Sequence, residues 1–198
     1  MTKYILNSGN AKYDSQKHKA FIGEALVGLK GNVKVLYCLF AQPREKWEAK
    51  FEEYKKSFAA LADENVELNF ELAFPDKFKE QCSQSDVIMI QGGDDYLLQF
   101  WFKQFDLESF FQDKIIATSS AGSDALVSSF WTCDWRKSMK GLNLLPIKFI
   151  PHYKSNYGAD DSRGKIDWEE AYKELELYED CKLSIHALKE GEFIVIEK

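Results

Sequence analysis

The sequence IIATSSAGSDAL, over residues 115–126, decides how this chain folds and what chemistry it can carry. A short apolar run ends at two serines set between small residues, and a helix-compatible stretch follows. A strand that turns sharply into a helix needs small residues two positions before and after the residue at the turn. The pattern therefore predicts a nucleophile elbow that exposes a serine hydroxyl.

The residues of this segment leave two alternatives open. The elbow could be centred on Ser120, between Thr118 and Gly122, or on Ser119, between two alanines. The segment could also be an ordinary strand end whose serines cap the next helix. This segment alone therefore does not distinguish a catalytic role of its serines from a structural one.

Composition narrows the class of protein. A chain of 198 residues with 45% hydrophobic content predicts one domain, spanning residues 1–198, with a full core. A net charge of −6, without a basic stripe, argues against nucleic acid or an anionic membrane as the main partner. The N-terminus runs directly into a strand-like segment, and no apolar run has transmembrane length. We therefore expect a cytoplasmic protein with no membrane partner.

The cysteines and histidines indicate no metal site or disulfide. They lie far apart, without CxxC or HExxH spacing, so the thiols are expected to be reduced and no metal or cofactor is predicted. These residues are Cys38, Cys82, Cys133, Cys181, His18, His152 and His186.

Strand and helix patterns alternate along the first two thirds of the chain. Apolar runs at residues 33–40, 87–90 and 115–118 suit strands covered on both faces, and residues between them recur at helical spacing. The last third is less regular, with an apolar strand predicted over residues 144–150. This order predicts an α/β protein with a three-layer, doubly wound, mostly parallel sheet.

Ligands of such sheets bind beyond the carboxyl ends of the strands. Both Gly92-Gly93 and Ser120 fall at predicted strand ends, which favours the catalytic interpretation. Gly92-Gly93 lets the backbone approach a substrate closely, although a plain turn explains it equally well. The N–H group that follows Ser120 belongs to Ala121 and could serve as an oxyanion donor.

A serine nucleophile also needs a general base and a carboxylate that orients it. His152 follows a strand and begins a loop, where a base should lie, while a capping or solvated role is equally open to it. His18 and His186 are expected to be structural. The residues alone do not choose among four acids in loop-like context, namely Asp134, Asp160, Asp161 and Glu190.

Four segments in order, QGGDDYLLQF, TSSAGSDAL, GLNLLPIKFIPHY and ALKEGEF, resemble the dipeptidase E (aspartyl dipeptidase) and cyanophycinase family of serine peptidases. The resemblance implies a class I glutamine amidotransferase-like fold and a serine-type peptidase that hydrolyses short peptides. The elbow motif of the family is Gly-x-Ser-Ala-Gly-Ala, and its match to this segment implies Ser120 as nucleophile. It further implies His152 as base and Glu190 as acid, with Asp134 as the alternative acid.

The same resemblance implies an oxyanion hole built from the Gly-Gly loop, here Gly93, together with Ala121. It also makes a short peptide the expected substrate. Arg163, in the loop after His152, is the candidate to anchor a substrate carboxylate. Its alternative is a surface ion pair with Asp160 or Asp161.

The chain departs from the family pattern at four positions near the elbow. Thr118 stands where the family prefers glycine, and a β-branched residue fits a strained turn less well. Ser123-Asp124 replaces the usual small residue and amide. Asp124 would place a carboxylate in the first turn after the nucleophile, and Asp94 adds another after the two glycines. Both charges would repel an acidic substrate.

These departures support a second hypothesis, a catalytically altered member that acts as a binding or regulatory module. A glutamine amidotransferase is disfavoured, because that chemistry uses a cysteine at the elbow and none of the four cysteines lies at such a turn. The aromatic residues of 96–111 could form a contact in a homodimer, although burial in the core accounts for them more simply.

Overall fold

The computed structural model describes residues 1–62 and 66–198, and its strands form two sheets. The strands in this part of the chain are β1 (Lys3–Asn7), β2 (Gly31–Cys38), β3 (Val66–Leu72), β4 (Val87–Ile90), β5 (Ile115–Ser119), β6 (Val127–Thr132), β7 (Lys137–Lys140), β8 (Leu145–Ile150), β9 (Ile185–Ala187) and β10 (Phe193–Glu197). The α-helices are α1 (Ser15–Leu26), α2 (Trp47–Ala59), α3 (Phe78–Gln84), α4 (Asp95–Phe102), α5 (Leu107–Phe110), α6 (Ala121–Leu126) and α7 (Trp168–Leu177).

The larger sheet carries the elbow at its centre. Its six strands follow the order β10-β1-β5-β4-β2-β3, all parallel except β10, which pairs antiparallel with β1. In this register Thr118 of β5 lies beside Leu6 of β1 and Ile90 of β4. The carboxyl ends of these three strands therefore meet at one edge, and the loops that follow them converge there.

The larger sheet is covered on both faces, which makes this part of the fold three-layered. Successive residues of a strand point to opposite faces. Val35 and Val87 pack with α1 and α2, whereas Leu36 and Ile88 pack with α3 and α4 on the other side. The predicted α/β fold with a mostly parallel, helix-flanked sheet is confirmed.

A second sheet, of order β7-β6-β8-β9, was not predicted from the sequence. The pattern indicated no regular element over residues 127–140, where the structure has the antiparallel pair β6 and β7. Helix α6 has only six residues, and β6 begins directly after it. Strand β8 pairs parallel with β6 and ends at Ile150, two residues before His152.

The aromatic stretch over residues 96–111 is divided between core and surface. Phe102 and Phe111 are buried in the core, as the simpler interpretation predicted. Phe100 is 61% exposed and Tyr96 is also exposed, next to Trp135. A homodimer built on these exposed rings stays a prediction.

No helix within residues 1–62 or 66–198 combines the length and the apolar character needed to cross a bilayer.

A buried lysine fastens α7 to the strand that leads to His152. Lys148 of β8 is fully buried, and its Nζ donates to the carbonyl oxygens of Leu175 (2.7 Å), Glu176 (3.0 Å) and Tyr178 (2.6 Å). These carbonyls lie at the C-terminal end of α7, where backbone oxygens lack the N–H partners of a following helical turn. The ammonium group therefore caps this end of the helix, and the three hydrogen bonds offset the cost of burying its charge.

We expect Lys148→Met to lower the free energy of unfolding by about 3 kcal/mol, because buried carbonyls lose a charged donor. Urea denaturation followed by circular dichroism measures the change. Lys19→Met, at an exposed position of α1, is the matched control and should change stability by less than about 0.5 kcal/mol. Equal unfolding midpoints for the two variants would contradict the assignment.

Candidate active site

The turn between β5 and α6 is centred on Ser120. This residue has φ +50° and ψ −118°, a strained conformation for a residue with a side chain. Its backbone N–H donates to Asn7 O at 3.0 Å, which holds the turn against β1. A Cβ on Gly122 would lie 2.4 Å from Ile90 O, so only glycine fits there. Ser119 is the last residue of β5, so the geometry of the turn is that of an elbow at Ser120.

Thr118 is accommodated in the core below the elbow. It is fully buried, and its hydroxyl lies 2.7 Å from Ser123 Oγ and 3.3 Å from Ile5 O. Ser123 Oγ in turn donates to Asn7 O at 2.9 Å. The β-branched residue that departs from the family pattern is therefore held by hydrogen bonds on the side of β1.

Three predicted residues from distant parts of the chain meet beside the turn. Ser120 Oγ lies 3.0 Å from His152 Nε2, and His152 Nδ1 lies 3.2 Å from Glu190 Oε1. Asn10 Nδ2 donates to the same carboxylate oxygen at 2.7 Å. A hydroxyl, an imidazole and a carboxylate in this order can pass a proton from the hydroxyl to the imidazole.

The imidazole of His152 is held from several sides. Its ring stacks on Tyr157 with centroids 4.2 Å apart, and its backbone N–H donates to Ser8 Oγ at 2.7 Å. Gly9 covers the ring edge, and a Cβ there would lie 2.6 Å from His152 Cε1. Gly9 also has φ +104°, which favours glycine. These contacts restrict the ring to one orientation.

Burial lowers the pKa of His152 below the usual value for histidine, while the hydrogen bond and charge of Glu190 act in the opposite direction. Desolvation disfavours the imidazolium form, so the ring is neutral at neutral pH. A neutral imidazole whose Nδ1 donates to Glu190 leaves Nε2 free to accept from Ser120.

The two glycines after β4 bring backbone against the elbow. A Cβ on Gly92 would lie 3.0 Å from Ser120 Cβ, and one on Gly93 would lie 2.3 Å from Ala41 O. Gln42 Nε2 donates to Gly92 O at 2.5 Å and fixes the loop. No described residue accepts a hydrogen bond from the backbone N–H of Gly93 or Ala121. Both donors are therefore free for a ligand.

Of the two acids that the resemblance implied, Glu190 is the one within hydrogen-bond reach of His152. Asp134 is exposed and instead accepts from Tyr157 Oη at 2.8 Å. Arg163 pairs with Asp161 at 2.5 Å and donates to Asp134 O at 2.9 Å. The structure thus favours the surface ion pair for Arg163 over a carboxylate anchor.

The structure also shows where the other two departures from the family pattern, Asp94 and Asp124, lie. Asp94 caps α4, where its carboxylate accepts from Leu97 N at 2.8 Å. Asp124 was expected to present a charge to the substrate, but its side chain is buried, and burial raises its pKa well above the usual range. Burial therefore favours the neutral form of Asp124, which would not repel an acidic substrate.

A cavity of about 280 Å³ opens beside Ser120 and His152. The end of β1 contributes Asn7 to its wall, and the loop that follows contributes Gly9 and Asn10. The residues of this loop carry no motif that predicts a role in the site. One feature of the sequence could have indicated its role, namely that it follows a buried strand. In the parallel register, the end of that strand lies next to the end of β5.

Among the described residues, no group of three or more His, Cys, Asp or Glu side chains is arranged to hold a metal ion.

Comparison with known proteins agrees with the fold. The profile for "Peptidase family S51" matches residues 5–198. A peptidase from an acI-B1 Actinobacterium shares the fold, with TM-score 0.62 and 20% identity over 99% of this chain and 83% of that one. A protein assigned as peptidase E from Listeria monocytogenes EGD-e also has TM-score 0.62, with 15% identity over 100% of this chain and 99% of that one. No curated protein sequence gives a significant match.

The chain shares its fold with these two peptidase structures, which is consistent with the expected glutamine amidotransferase-like fold. The family match makes the molecule a serine-type peptidase. More particularly, this chain belongs to peptidase family S51, the dipeptidase E family.

We expect Gly9→Ala to lower the free energy of unfolding by about 1–3 kcal/mol and to displace the imidazole, because a methyl group there meets the ring at a strained φ. Gly23→Ala is the matched control, since a Cβ at that helical position meets nothing within 4 Å. The control should gain about 0.5–1 kcal/mol. Urea denaturation and the NMR resonances of the His152 ring measure both effects; unchanged ring resonances in Gly9→Ala would contradict the contact.

Proposed function

We propose that this serine peptidase hydrolyses short peptides with Ser120 as nucleophile, His152 as general base and Glu190 as the orienting acid. The observation that carries the proposal is the pair of distances, 3.0 Å from Ser120 Oγ to His152 Nε2 and 3.2 Å from His152 Nδ1 to Glu190 Oε1. The strained turn supports it, because it holds the hydroxyl away from the backbone and toward the imidazole.

In the first half of the reaction, Ser120 Oγ attacks the carbonyl carbon of the scissile amide while His152 Nε2 takes its proton. Glu190 accepts the hydrogen bond from Nδ1 and stabilises the imidazolium that forms. The N–H groups of Gly93 and Ala121 hold the developing oxyanion, and Gly92 leaves room beside Ser120 for the carbonyl. His152 then gives the proton to the leaving amine.

In the second half, water attacks the acyl-enzyme ester, and His152 removes its proton. The tetrahedral intermediate again places its oxygen on Gly93 and Ala121. Its collapse returns the proton from His152 to Ser120 Oγ and releases the acid product. The same three side chains thus act in reverse order.

The size of the site supports a short substrate. A cavity of about 280 Å³ is slightly smaller than typical small-molecule sites, which measure about 300–1,000 Å³. It matches a dipeptide or tripeptide better than an extended chain. The covered position of His152 also argues against a long peptide that would have to lie across the ring.

The alternative, a module that binds without catalysis, rested on Thr118, Asp94 and Asp124. Thr118 bonds Ser123 and Ile5 in the core, Asp94 caps a helix, and Asp124 is buried. The three side chains that suggested a non-catalytic binding module are therefore bonded elsewhere or buried. This favours the hydrolase over the binding module.

We expect Ser120→Ala to reduce peptide hydrolysis by roughly 10³-fold or more and to abolish labelling by a fluorophosphonate probe, because the attacking oxygen is gone. A dipeptide library with free and blocked termini measures the first effect. Ser119→Ala, one residue away in β5, is the matched control and should keep labelling. Equal labelling of wild type and Ser120→Ala would overturn the nucleophile.

The pH dependence follows from the lowered pKa of His152. The base acts in its neutral form, so activity is present above this pKa and is lost as pH falls through it. We expect the acid limb of kcat/KM to have its midpoint below 6.5, the ordinary histidine value.

In Glu190→Gln this midpoint should move lower still, because the carboxylate that raises the pKa is removed, and kcat should fall at the same time. Glu197→Gln, at an exposed position of β10, serves as control. A midpoint that moves upward in Glu190→Gln would contradict the role of the carboxylate.

A further inference from the structure

One buried glutamine has no hydrogen-bond partner for its side chain and faces the cavity beside Ser120. Gln91 directly follows β4, is 9% exposed and lines the cavity of about 280 Å³. No described residue bonds its carboxamide. Its polar atoms keep accessible surface, and the space that they face is this cavity. Ser120, His152 and Glu190 carry the proposed reaction without this side chain.

The other buried glutamines among the described residues show what a structural role requires. Gln81 donates to Leu72 O at 2.9 Å, and Gln99 donates to Lys140 O at 3.0 Å. Their amides are thus bonded within the protein. A buried amide without a partner costs folding free energy, so Gln91 requires an explanation that these two glutamines do not.

The position of Gln91 is set by the central strands of the larger sheet. Gln91 N donates to Cys38 O at 3.0 Å, which extends the ladder between β2 and β4 by one residue. In the register of β4 and β5, Ile90 lies beside Thr118. Gln91 is therefore level with Ser119, one residue before the nucleophile. A substrate side chain bonded to Gln91 would belong to a residue that flanks the scissile bond.

The cavity next to Gln91 is walled by apolar side chains. Met89 precedes Gln91 by two residues in the chain and therefore points to the same face of the sheet. Met89, Tyr37 and Phe21 all line the cavity, and none of them is more than 4% exposed. In such surroundings an unpaired polar group costs more than it does in water. A substrate group that pairs with Gln91 is therefore favoured over an apolar group of the same shape.

The carboxamide of Gln91 selects a partner that both donates and accepts hydrogen bonds. A second carboxamide pairs with it through two hydrogen bonds, one in each direction. A carboxylate offers acceptors only and would leave Gln91 Oε1 unpaired, whereas an ammonium group offers donors only and would leave Nε2 unpaired. The neutral amide is therefore the side-chain group that satisfies both halves of Gln91.

The basic residues of the same cavity wall do not add a charge aimed at a carboxylate. Lys12 pairs with Glu53 at 3.1 Å, and Lys50 Nζ lies 5.9 Å from the centre of an aromatic ring. Burial, followed by the charge of Lys12, lowers the pKa of His18 and favours its neutral form. These contacts favour an uncharged group over an acid at Gln91.

We propose that Gln91 forms a specificity subsite for a carboxamide side chain, that of asparagine or glutamine, on a residue that flanks the scissile bond. The subsite rests on the proposed function, because Ser120 defines the bond that is cut. The amide belongs to either the acyl residue or the leaving residue, and substrates with the amide at one position or the other distinguish the two.

The first test uses wild type at pH 7 with side chains of nearly the same shape. For the acyl position, hydrolysis of Asn-Ala is compared with that of Asp-Ala and Leu-Ala. For the leaving position, Ala-Asn is compared with Ala-Asp and Ala-Leu, and sets with Gln, Glu and Met add one methylene. We expect kcat/KM to favour the amide by about 10- to 100-fold at one position, which identifies the source. No preference for the amide at either position would overturn the subsite.

The second test uses Gln91→Met, which keeps the length of the side chain and removes both hydrogen-bonding groups. It should reduce the preference for the amide over its apolar counterpart by about tenfold or more. Gln112→Met, at an exposed position between α5 and β5, is the matched control and should keep the preference. A loss of kcat/KM that is equal for all substrates would show a purely structural role and overturn the subsite. Should Gln91→Met fail to fold, the wild-type substrate series decides alone.

A binding measurement separates the subsite from hydrolysis. In isotope-labelled Ser120→Ala, the side-chain NH2 resonances that disappear on adding Gln91→Met belong to Gln91. We expect the favoured amide dipeptide to shift these resonances and its apolar counterpart to leave them in place. If the shift occurs but an uncharged fluorophosphonate does not label Ser120 in wild type, the subsite stands and the proposed function falls. If Ser120 is labelled and neither the shift nor a preference for the amide is seen, the subsite falls and the proposed function stands.

Discussion

The site depends on one buried residue, Asn7 at the end of β1, which forms hydrogen bonds through both its backbone oxygen and its side-chain amide. Its backbone oxygen accepts from Ser120 N at 3.0 Å and from Ser123 Oγ at 2.9 Å. Its side chain accepts from Gly9 N at 2.7 Å and donates to Gly191 O at 3.3 Å. One residue thus joins the elbow, the loop that covers the imidazole and the turn that carries the acid. Because these bonds are buried, losing any of them costs more than an exposed bond would.

The sequence predicted the parts of the site that a local pattern can express. Small residues around Ser120 predict the turn, and a histidine after an apolar strand predicts His152. Glu190 came only from the family resemblance, because an acid in a loop has no local signature. Asn10 and Tyr157 were missed, since their roles arise from loops that meet in space. The second sheet was missed because α6 is too short to show helical periodicity before β6 begins.

The two cavities give the nucleophile two different surroundings. On the His152 side the wall is polar and roomy, with Asn7, Asn10 and Glu53 among its residues. On the other side it is narrow and acidic. A peptide bond placed over Ser120 would therefore have an open, polar wall on the side of His152 and a water-sized, largely desolvated space on the side of Ala121. Such a contrast orients a substrate before any covalent step takes place.

The hydrogen bond between Thr118 and Ser123 has a consequence for how this elbow can change. Both residues depart from the family pattern, and their hydroxyl oxygens lie 2.7 Å apart in the core. Removing one hydroxyl would take one partner from the other, which would keep its carbonyl acceptor, Ile5 O for Thr118 or Asn7 O for Ser123. The stability effect of changing either residue therefore depends on which residue stands at the other position, so the energies of the two changes are expected to be non-additive.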